Sequence, residues 1–183
     1  MLDRKEEHLR FAKAQQEKNL VNDFDEIRFI HHSFPEINYE DVDLSTSYAG
    51  LTFPYPFYIN AMTGGTKRAK EINGNLALSC EQMGIPLALG SVSAALKDPS
   101  LLETYTVAKK IAPNLFLWGN LSADSSLEKM KKACDVLASN GLQLHLNLPQ
   151  ELVMPEGDRH FSNWLENIYQ AKKTLNLPIM VKE

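Results

Sequence analysis

The chain has 183 residues, of which 44% are hydrophobic and 23% are charged, and its formal net charge is −4 at pH 7. This is the composition of a folded globular protein, so it excludes a disordered tail, a collagen-like chain and a low-complexity linker. The acidic balance argues against binding of nucleic acid through overall positive charge. No apolar run in the sequence approaches the roughly 18 residues of a membrane span.

Two features of the sequence indicate the compartment in which the protein works. The charged N-terminus has no apolar stretch behind it, so we expect no secretory signal. Cys80 and Cys134 fall inside predicted amphipathic helices, and we expect reduced thiols rather than a disulfide. We therefore expect a cytoplasmic protein.

Residues 1–56 are predicted to form an N-terminal extension. Asp3 is followed three residues later by Glu6, the acidic variant of a capping box, which predicts the start of a helix. Prolines interrupt residues 20–55, so this stretch is predicted to be irregular, with short strands near 42–44 and 51–53.

From residue 57 onward, short apolar strands alternate with amphipathic helices. Strands are predicted at residues 57–61, 86–89, 115–118, 142–146 and 178–181. Helices are predicted from Thr66 to Met83, around Tyr105, from a cap at Ser125 to residues 140–141, and from a cap at Ser162. This alternation predicts βαβ units and a parallel sheet. No G-x-G-x-x-G motif follows any of the strands, which weakens a dinucleotide-binding fold.

Polar residues follow every predicted strand. The positions just beyond the five strands hold Asn60, Ser91, Asn120, His145 with Asn147, and Lys182. In a closed (β/α) barrel such positions surround one mouth, where the active site lies, whereas a doubly wound sheet gathers ligand groups at a switch point. Any one of these residues could be polar only because a loop begins there. Together they favour an α/β fold of the TIM (β/α)8 barrel type.

A complete barrel of this type is longer than the chain. Eight strand–helix units take about 250 residues, so a barrel that starts at residue 57 would end beyond residue 183. We therefore expect residues 57–183 to form about the first half of a barrel, with five strands and four helices. The exposed edge of the fifth strand would then favour association.

Two connections carry side chains suited to ligands. Residues 63–66 either cradle a ligand against a helix N-terminus or simply make a tight turn. The stretch 145–159 is long for a connection between a strand and a helix. It holds donors and acceptors in His145, Asn147 and Gln150, and hard oxygen ligands for Mg²⁺ in Glu151, Glu156 and Asp158. For Asp158, a local salt bridge with Arg159 is the favoured interpretation.

The histidines outside this stretch carry weaker signals. On the N-terminal helix Arg4 and His8 share a face, with Lys5 adjacent, and could present cations to an anionic group. A solvated helix surface is the more ordinary interpretation of that spacing. His31 and His32 are interpreted as a surface pair, because no further ligand stands at zinc spacing.

Eight segments of the sequence together resemble one protein family. They are RKEEH (4–8), FIHHSFPE (29–36), DLSTS (43–47), YINAMTGG (58–65), GSVSAAL (90–96), HLNLPQE (145–151), MPEGDR (154–159) and VKE (181–183). In this combination and order they resemble the type 2 isopentenyl-diphosphate delta-isomerases along the whole chain.

The resemblance implies a flavin-dependent isomerase with a (β/α)8 barrel. Such an enzyme interconverts isopentenyl diphosphate and dimethylallyl diphosphate with reduced FMN and Mg²⁺, and with NADPH as reductant. The implied partner is a small-molecule prenyl diphosphate, with no nucleic acid and no membrane, and the implied assembly is a homo-oligomer.

The resemblance also implies roles for individual residues. Flavin contacts are implied for Ala61, Met62, Thr63, Ser91, Asn120 and Lys182. Arg4, Lys5 and His8 are implied to bind the substrate diphosphate, together with Gln150 at the substrate. His145, Asn147 and Gln150 are implied as the catalytic residues, and Glu151 as the magnesium ligand.

The sequence departs from the family pattern at a few places, and two other interpretations stay open. Val92 stands where the family commonly has Gln, Trp118 replaces a smaller residue, and the Gly-rich FMN phosphate-binding loops of the family's second half are absent. One alternative is a flavin-barrel oxidoreductase of the 2-hydroxy-acid oxidase type. The other is an inactive fragment that only associates with itself or another chain. Arg4 with Lys5, and Gln150 with Glu151, favour the isomerase.

Overall fold

The computed structural model describes residues 4–16, 18, 22–155, 157 and 159–183, and leaves out the side chains at positions 4, 5, 6 and 8. The α-helices are α1 (Arg4–Gln16), α2 (Lys67–Met83), α3 (Ser93–Lys97), α4 (Glu103–Ile111), α5 (Leu127–Leu137), α6 (Leu148–Val153) and α7 (Trp164–Thr174). The strands are β1 (Thr46–Tyr48), β2 (Leu51–Phe53), β3 (Leu87–Ala88), β4 (Leu117–Ser122), β5 (Gly141–His145) and β6 (Ile179–Lys182). Short 3₁₀ helices lie at Asp23–Glu26, Tyr39–Asp41 and Pro99–Leu101.

The predicted parallel sheet is confirmed, and its strands follow one another in chain order. It runs β3–β4–β5–β6, and all of its pairings are parallel. The strand predicted at 57–61 is wrong as a strand, because it is reduced to a single parallel bridge between Ile59 and Leu87. The Ile59 backbone accepts a hydrogen bond from the Ala88 N–H at 2.8 Å. Within the described residues the order never reverses, so the sheet has no switch point of the doubly wound kind.

The helices lie on one face of this sheet, where they enclose the main core. The core joins fully buried leucines of β3, β4 and β5 to small or flexible residues of α2, α4, α5 and α7, including Cys80, Ala108, Met130 and Ala171. Right-handed crossovers, the usual connection between neighbouring parallel strands, bring the connecting helices α2, α4, α5 and α7 to the same side. Both cysteines are buried and free, as predicted, and burial raises the pKa of the Cys80 thiol to about 11.

Aromatic side chains cover the opposite face of the sheet at the end where the parallel strands begin. Tyr48 stacks on Phe53 with ring centroids 4.9 Å apart, and Phe53 meets Phe116 edge-on at 5.2 Å. Phe116 in turn packs on Trp118 at 5.2 Å. The β1–β2 hairpin therefore covers the face of the sheet that the helices leave free, at the end where the parallel strands begin.

The hairpin corrects one predicted strand and confirms another. The strand at 51–53 is confirmed, but the strand predicted near 42–44 is wrong, and the other strand of the hairpin is Thr46–Tyr48. Asp43 explains the shift, because its carboxylate accepts hydrogen bonds from the Ser45 N–H at 2.8 Å and the Ser45 hydroxyl at 2.9 Å, which makes a turn there. Ala49 and Gly50 both have positive φ, at 51° and 76°, which suits a two-residue hairpin turn.

Several predicted helix ends are also corrected. The helix predicted from Thr66 to Met83 is confirmed as α2, with Thr66 as its N-cap and left-handed Gly84 ending it. The cap of α5 is Ser126, whose hydroxyl accepts from the Lys129 N–H at 3.3 Å, and Ser125 is instead buried. The predicted end of α5 at 140–141 is wrong, because the helix ends at left-handed Ala138 and Gly141 already belongs to β5.

Two further cap predictions have different outcomes. The predicted cap at Ser162 is wrong, because α7 begins after Asn163, which makes no side-chain cap bond. The predicted cap at Asp3 lies outside the described residues.

Candidate functional site

A cavity of about 380 Å³ opens at the carboxyl ends of the parallel strands. It lies between the loops that follow the strands and α1, which contributes Leu9 and Ala12. The predicted residues that line it are Ala61, Met62, Thr63, Ser91, Asn120, His145, Asn147, Gln150 and Lys182. The structure thus brings together residues that the sequence spreads over more than 120 positions, while their individual roles stay predictions.

Alternation along the strands explains why several of these residues share one face. In the sheet register Asn120 is paired with Gln143 and Gln143 with Met180, while His145 is paired with Lys182. Side chains two positions apart on a strand point to the same face. The face opposite the helices therefore carries Trp118 near the start of β4. The polar side chains of Asn120, Gln143 and His145 lie on the same face, nearer the carboxyl ends of the strands and the cavity.

The loop after the first bridge is held by the protein itself. Gly65 donates its N–H to the Thr104 hydroxyl at 2.8 Å, so this amide is already engaged. A Cβ on Gly64 would collide with the Tyr105 ring, which explains the glycine without a ligand. These contacts make residues 63–66 a tight turn, and Thr63, Gly64 and Thr66 of this turn also line the cavity, so a ligand contact there stays a prediction.

Asn120 and His145 form a hydrogen-bonded pair in the cavity. Nδ1 of His145 lies 3.2 Å from Oδ1 of Asn120. Because a carboxamide oxygen only accepts, this bond requires the proton on Nδ1 and leaves Nε2 as an acceptor. Burial, and then the neighbouring Lys182 ammonium, lower the pKa of His145 from its usual 6.5. Both effects favour the neutral imidazole over the charged one.

Lys182 brings a positive charge to the end of β6. Its side chain is only 18% exposed, and its Nζ lies 2.6 Å from the Glu183 carboxylate. Its backbone carbonyl accepts from the Leu146 N–H at 3.0 Å, which fixes the strand end beside the His145 segment. The cavity thus holds an ion pair, Lys182 with Glu183, beside His145.

The predicted long connection after β5 contains α6, and this helix pairs Asn147 with Gln150. Asn147 is the N-cap: its Oδ1 accepts from the Gln150 N–H at 3.1 Å, while its Nδ2 donates to Gln150 Oε1 at 2.8 Å. Pro149 lies in the first turn, where a missing N–H costs nothing. The two side chains therefore form one unit, which presents the exposed Gln150 amide to the cavity.

The predicted magnesium ligands are not gathered into a site by the described residues. Glu151 lies on α6 and is half-buried, but it does not line the cavity. The described part of the chain holds no group of three or more metal-ligating side chains. Glu156 and Asp158 lie outside the described residues, and Arg159 donates to the backbone carbonyls of Glu151 and of Met154, the latter at 2.8 Å.

The remaining predicted positions have mixed outcomes. Asn60 does not line the cavity, because its Oδ1 accepts from the Ala61 N–H at 2.8 Å and from Gln143 Nε2 at 3.3 Å. The side chains of Arg4, Lys5 and His8 lie outside the described residues, although all three positions belong to α1. His31 and His32 are exposed, as expected of a surface pair.

Three supporting residues were missed by the sequence reasoning. Asn73 and Thr104 are buried behind the loop at 63–66, and Tyr105 donates its hydroxyl to the Ser91 carbonyl at 2.8 Å. A polar residue at position 73, on the apolar face of a predicted helix, was the available signal. Among the described residues, no helix is long and apolar enough to span a membrane.

Comparisons with known proteins place these observations among relatives. No family model matches the chain. It is 45% identical over 180 residues to isopentenyl-diphosphate delta-isomerases of Staphylococcus aureus strains MSSA476 and MW2, which covers 98% of this chain and 51% of each relative. The resemblance stated from the sequence is therefore confirmed. The chain spans about half the length of the curated relatives it matches.

Solved structures show a similar fold. A mandelate oxidase variant with a monooxide FMN adduct matches with a TM-score of 0.53 and 16% identity, over 80% of this chain and 45% of that one. A second structure of the same variant, with (S)-mandelic acid, matches with a TM-score of 0.51 and 16% identity, over 86% of this chain and 48% of that one. At this identity the likeness concerns the fold alone.

Proposed function

We propose that the chain is part of an FMN-dependent isopentenyl-diphosphate delta-isomerase of type 2. The enzyme interconverts isopentenyl diphosphate and dimethylallyl diphosphate. It uses reduced FMN and Mg²⁺, and NADPH is the reductant. One observation carries the proposal: nine residues that the family resemblance assigns to flavin and substrate line one cavity of about 380 Å³. The 45% identity to isopentenyl-diphosphate delta-isomerases supports it independently.

The complete enzyme is proposed to close the sheet into a (β/α)8 barrel. Strands that neighbour one another in chain order, with helices on one face, are the arrangement of a barrel wall. The likeness to about half of a longer FMN-containing oxidase supports this. Residues 57–183 would then be the first half of the barrel, and residues 1–56 an extension whose helix α1 lies over the cavity.

The residues that line the cavity fit a flavin ring system. Its volume is in the range of small-molecule sites, about 300 to 1,000 Å³. Ala61 and Met62 supply apolar surface, while Asn120 and Lys182 supply polar groups for the edge of a ring. A fixed ammonium such as that of Lys182 stabilises the negative charge of a reduced flavin. When bound, reduced FMN supplies and accepts the proton that moves the double bond.

The diphosphate of the substrate is proposed to bind near the N-terminal half of α1. Positions 5 and 8 precede the cavity-lining Leu9 and Ala12 by four residues each, so helical spacing puts them on the same side. The cations of Lys5 and His8, with Arg4, would neutralise the diphosphate. Mg²⁺ commonly takes one or two carboxylates and completes its shell with phosphate oxygens and water, so Glu151, which lies outside the cavity lining but follows Gln150, would need to supply only one ligand.

The neutral state of His145 suits the charge that develops in this reaction. Protonating an unactivated alkene builds positive charge, which an adjacent imidazolium would repel. Burial and Lys182 keep His145 uncharged, and its bond to Asn120 leaves Nε2 as an acceptor. Asn147 holds Gln150 so that its amide faces the substrate. These uncharged side chains would orient the substrate.

Flavin titration tests this proposal. FMN fluorescence is expected to be quenched on addition of the chain, with saturation at one flavin per chain. The Asn120→Leu variant should weaken binding, while Leu165→Ala, an exposed position on α7, should leave it unchanged. A folded chain that binds no FMN would contradict the proposal and favour the self-associating fragment. Flavin binding with oxidation of 2-hydroxy acids, and no isomerisation, would favour the oxidase.

The assembly and the compartment follow from the same proposal. We propose a homo-oligomer in the cytoplasm. The segment between α1 and β1 exposes large apolar side chains, with Phe29 and Ile30 each 97% exposed, and such surface is typical of a contact with further protein. Two buried, unpaired thiols suit a reducing compartment.

A further inference from the structure

A buried polar network lies directly behind the cavity. Asn73 of α2 is fully buried, yet its Nδ2 donates to the Thr104 carbonyl at 2.8 Å and to the Thr63 carbonyl at 3.4 Å. Its Oδ1 accepts a hydrogen bond from the Thr63 hydroxyl. Every polar atom of this side chain is therefore committed, and two of its three partners belong to Thr63, which lines the cavity.

The network fixes the orientation of the Asn73 amide. Carbonyl oxygens only accept, so the two carbonyl partners require the NH₂ group on their side and leave Oδ1 for Thr63. The Thr63 hydroxyl must then donate its single proton to Asn73 Oδ1. What the Thr63 hydroxyl can offer to a ligand is consequently limited to the lone pairs of its oxygen.

The loop around Thr63 is anchored by further bonds of the same kind. The Thr63 carbonyl also accepts from the Gly90 N–H at 2.8 Å, and the Gly65 N–H donates to the Thr104 hydroxyl at 2.8 Å. A Cβ on Gly90 would lie 2.7 Å from the Thr63 carbonyl oxygen, so the two cavity loops touch through their backbones. Asn73 and Thr104 thus hold the Thr63 loop, and the Gly90 loop is held in turn through the Thr63 carbonyl.

We propose that Asn73 is a positioning residue that makes the Thr63 hydroxyl a pure hydrogen-bond acceptor for an N–H group of the bound flavin. The inference rests on the proposed function, which makes the cavity a flavin site. It deepens that function, because it assigns a specificity for donor groups to a residue that touches no ligand itself. Thr104 supports the same loop through the Gly65 amide.

A double-mutant cycle tests the proposal. Asn73→Leu and Thr63→Val are each expected to weaken FMN binding by about tenfold, the equivalent of one net hydrogen bond. Together they should weaken it little more than either alone, because Asn73 acts through Thr63. Thr63→Ser, which retains the hydroxyl, should restore most of the affinity. Cys80 is fully buried two turns further along the same helix. The Cys80→Ala variant therefore shows how much FMN affinity is lost through looser packing of α2 alone.

Amide hydrogen exchange on the flavin-free chain separates this proposal from the proposed function. In Asn73→Leu the Gly65 and Gly90 amides should exchange at least tenfold faster than in the wild type, while the Leu142 amide, which donates to the Pro178 carbonyl, should not change. Unchanged exchange at both glycines overturns the proposal whether or not FMN binds. So does additive loss of affinity in the cycle. Absence of FMN binding by the wild type contradicts the proposed function, and the exchange result then decides the inference alone.

Discussion

Gly141 is predicted to be required for full stability, because the Trp118 ring occupies the space that a side chain at position 141 would take. A Cβ at position 141 would lie 2.6 Å from Cε3 of Trp118, and it overlaps a further ring atom. Ordinary carbon contacts are about 3.5 Å, so the indole would have to move by close to 1 Å. It has no room to do so, because Trp118 is 1% exposed and packs on Phe116.

The magnitude follows from overpacking of a rigid core. Added methyl groups in such places cost about 1 to 3 kcal/mol, from which the entropic gain of Gly→Ala removes about 0.4 to 1 kcal/mol. Gly141→Ala should therefore destabilise the chain by about 1 to 2 kcal/mol. For a chain of this size this lowers the melting temperature by about 2 to 8 °C.

Thermal and urea unfolding provide the measurement. Gly119→Ala is the matched control, because its Cβ would meet nothing closer than the Ser139 hydroxyl at 3.2 Å. Trp118→Phe should partly rescue Gly141→Ala, since a smaller ring frees the space. Wild-type stability of Gly141→Ala, or strictly additive effects in the double variant, would refute this account of the packing.

Three further predictions concern the site and its supports. Burial lowers the pKa of His145 below its usual 6.5, so the unfolded chain binds this proton more readily and the free energy of unfolding should fall as pH drops below about 6.5. His145→Gln should flatten that fall in urea titrations from pH 7 to 5, whereas the exposed His31→Gln should not. Ser126→Ala should cost about 1 kcal/mol in thermal unfolding by removing the α5 cap, and Ser125→Ala should be neutral or stabilising. Gln150→Ala should lower turnover sharply while FMN titration shows unchanged binding, and equal turnover would remove Gln150 from the mechanism.

The architecture was predictable because it depends on patterns that survive in a single sequence. Alternation of apolar strands and amphipathic helices predicted the parallel sheet, and polar residues after the strands predicted a shared site. Ser91, Asn120 and Lys182 do meet at one cavity. The carboxyl ends of parallel strands necessarily lie at one edge, so this convergence needs no knowledge of tertiary contacts.

Other features depended on interactions that local sequence does not reveal. The stretch at 57–61 has strand composition, but only Ile59 finds a partner. Asn147 and Pro149 carried a helix-start signal that the interpretation as a loop ignored. The choice between Ser125 and Ser126 was decided by burial of the former.

Polar groups inside the core were the hardest to foresee. Asn73 contacts Thr63 and Thr104, which are 10 and 31 residues away along the chain. A helical pattern assigns position 73 to a face, but it cannot say which carbonyls that face will meet. Trp118 is larger than the residue that the family commonly has at this position. The absence of a side chain at Gly141 provides the room for its ring, which the sequence alone does not reveal.

The central claim is that the cavity serves isomerisation of isopentenyl diphosphate. The most direct measurement is conversion of isopentenyl diphosphate by the purified chain with FMN, NADPH and Mg²⁺, followed by proton NMR. The account predicts that the signals of dimethylallyl diphosphate appear, and that they require both FMN and reductant. A folded chain that binds FMN, takes up the substrate and yet forms no dimethylallyl diphosphate would contradict it.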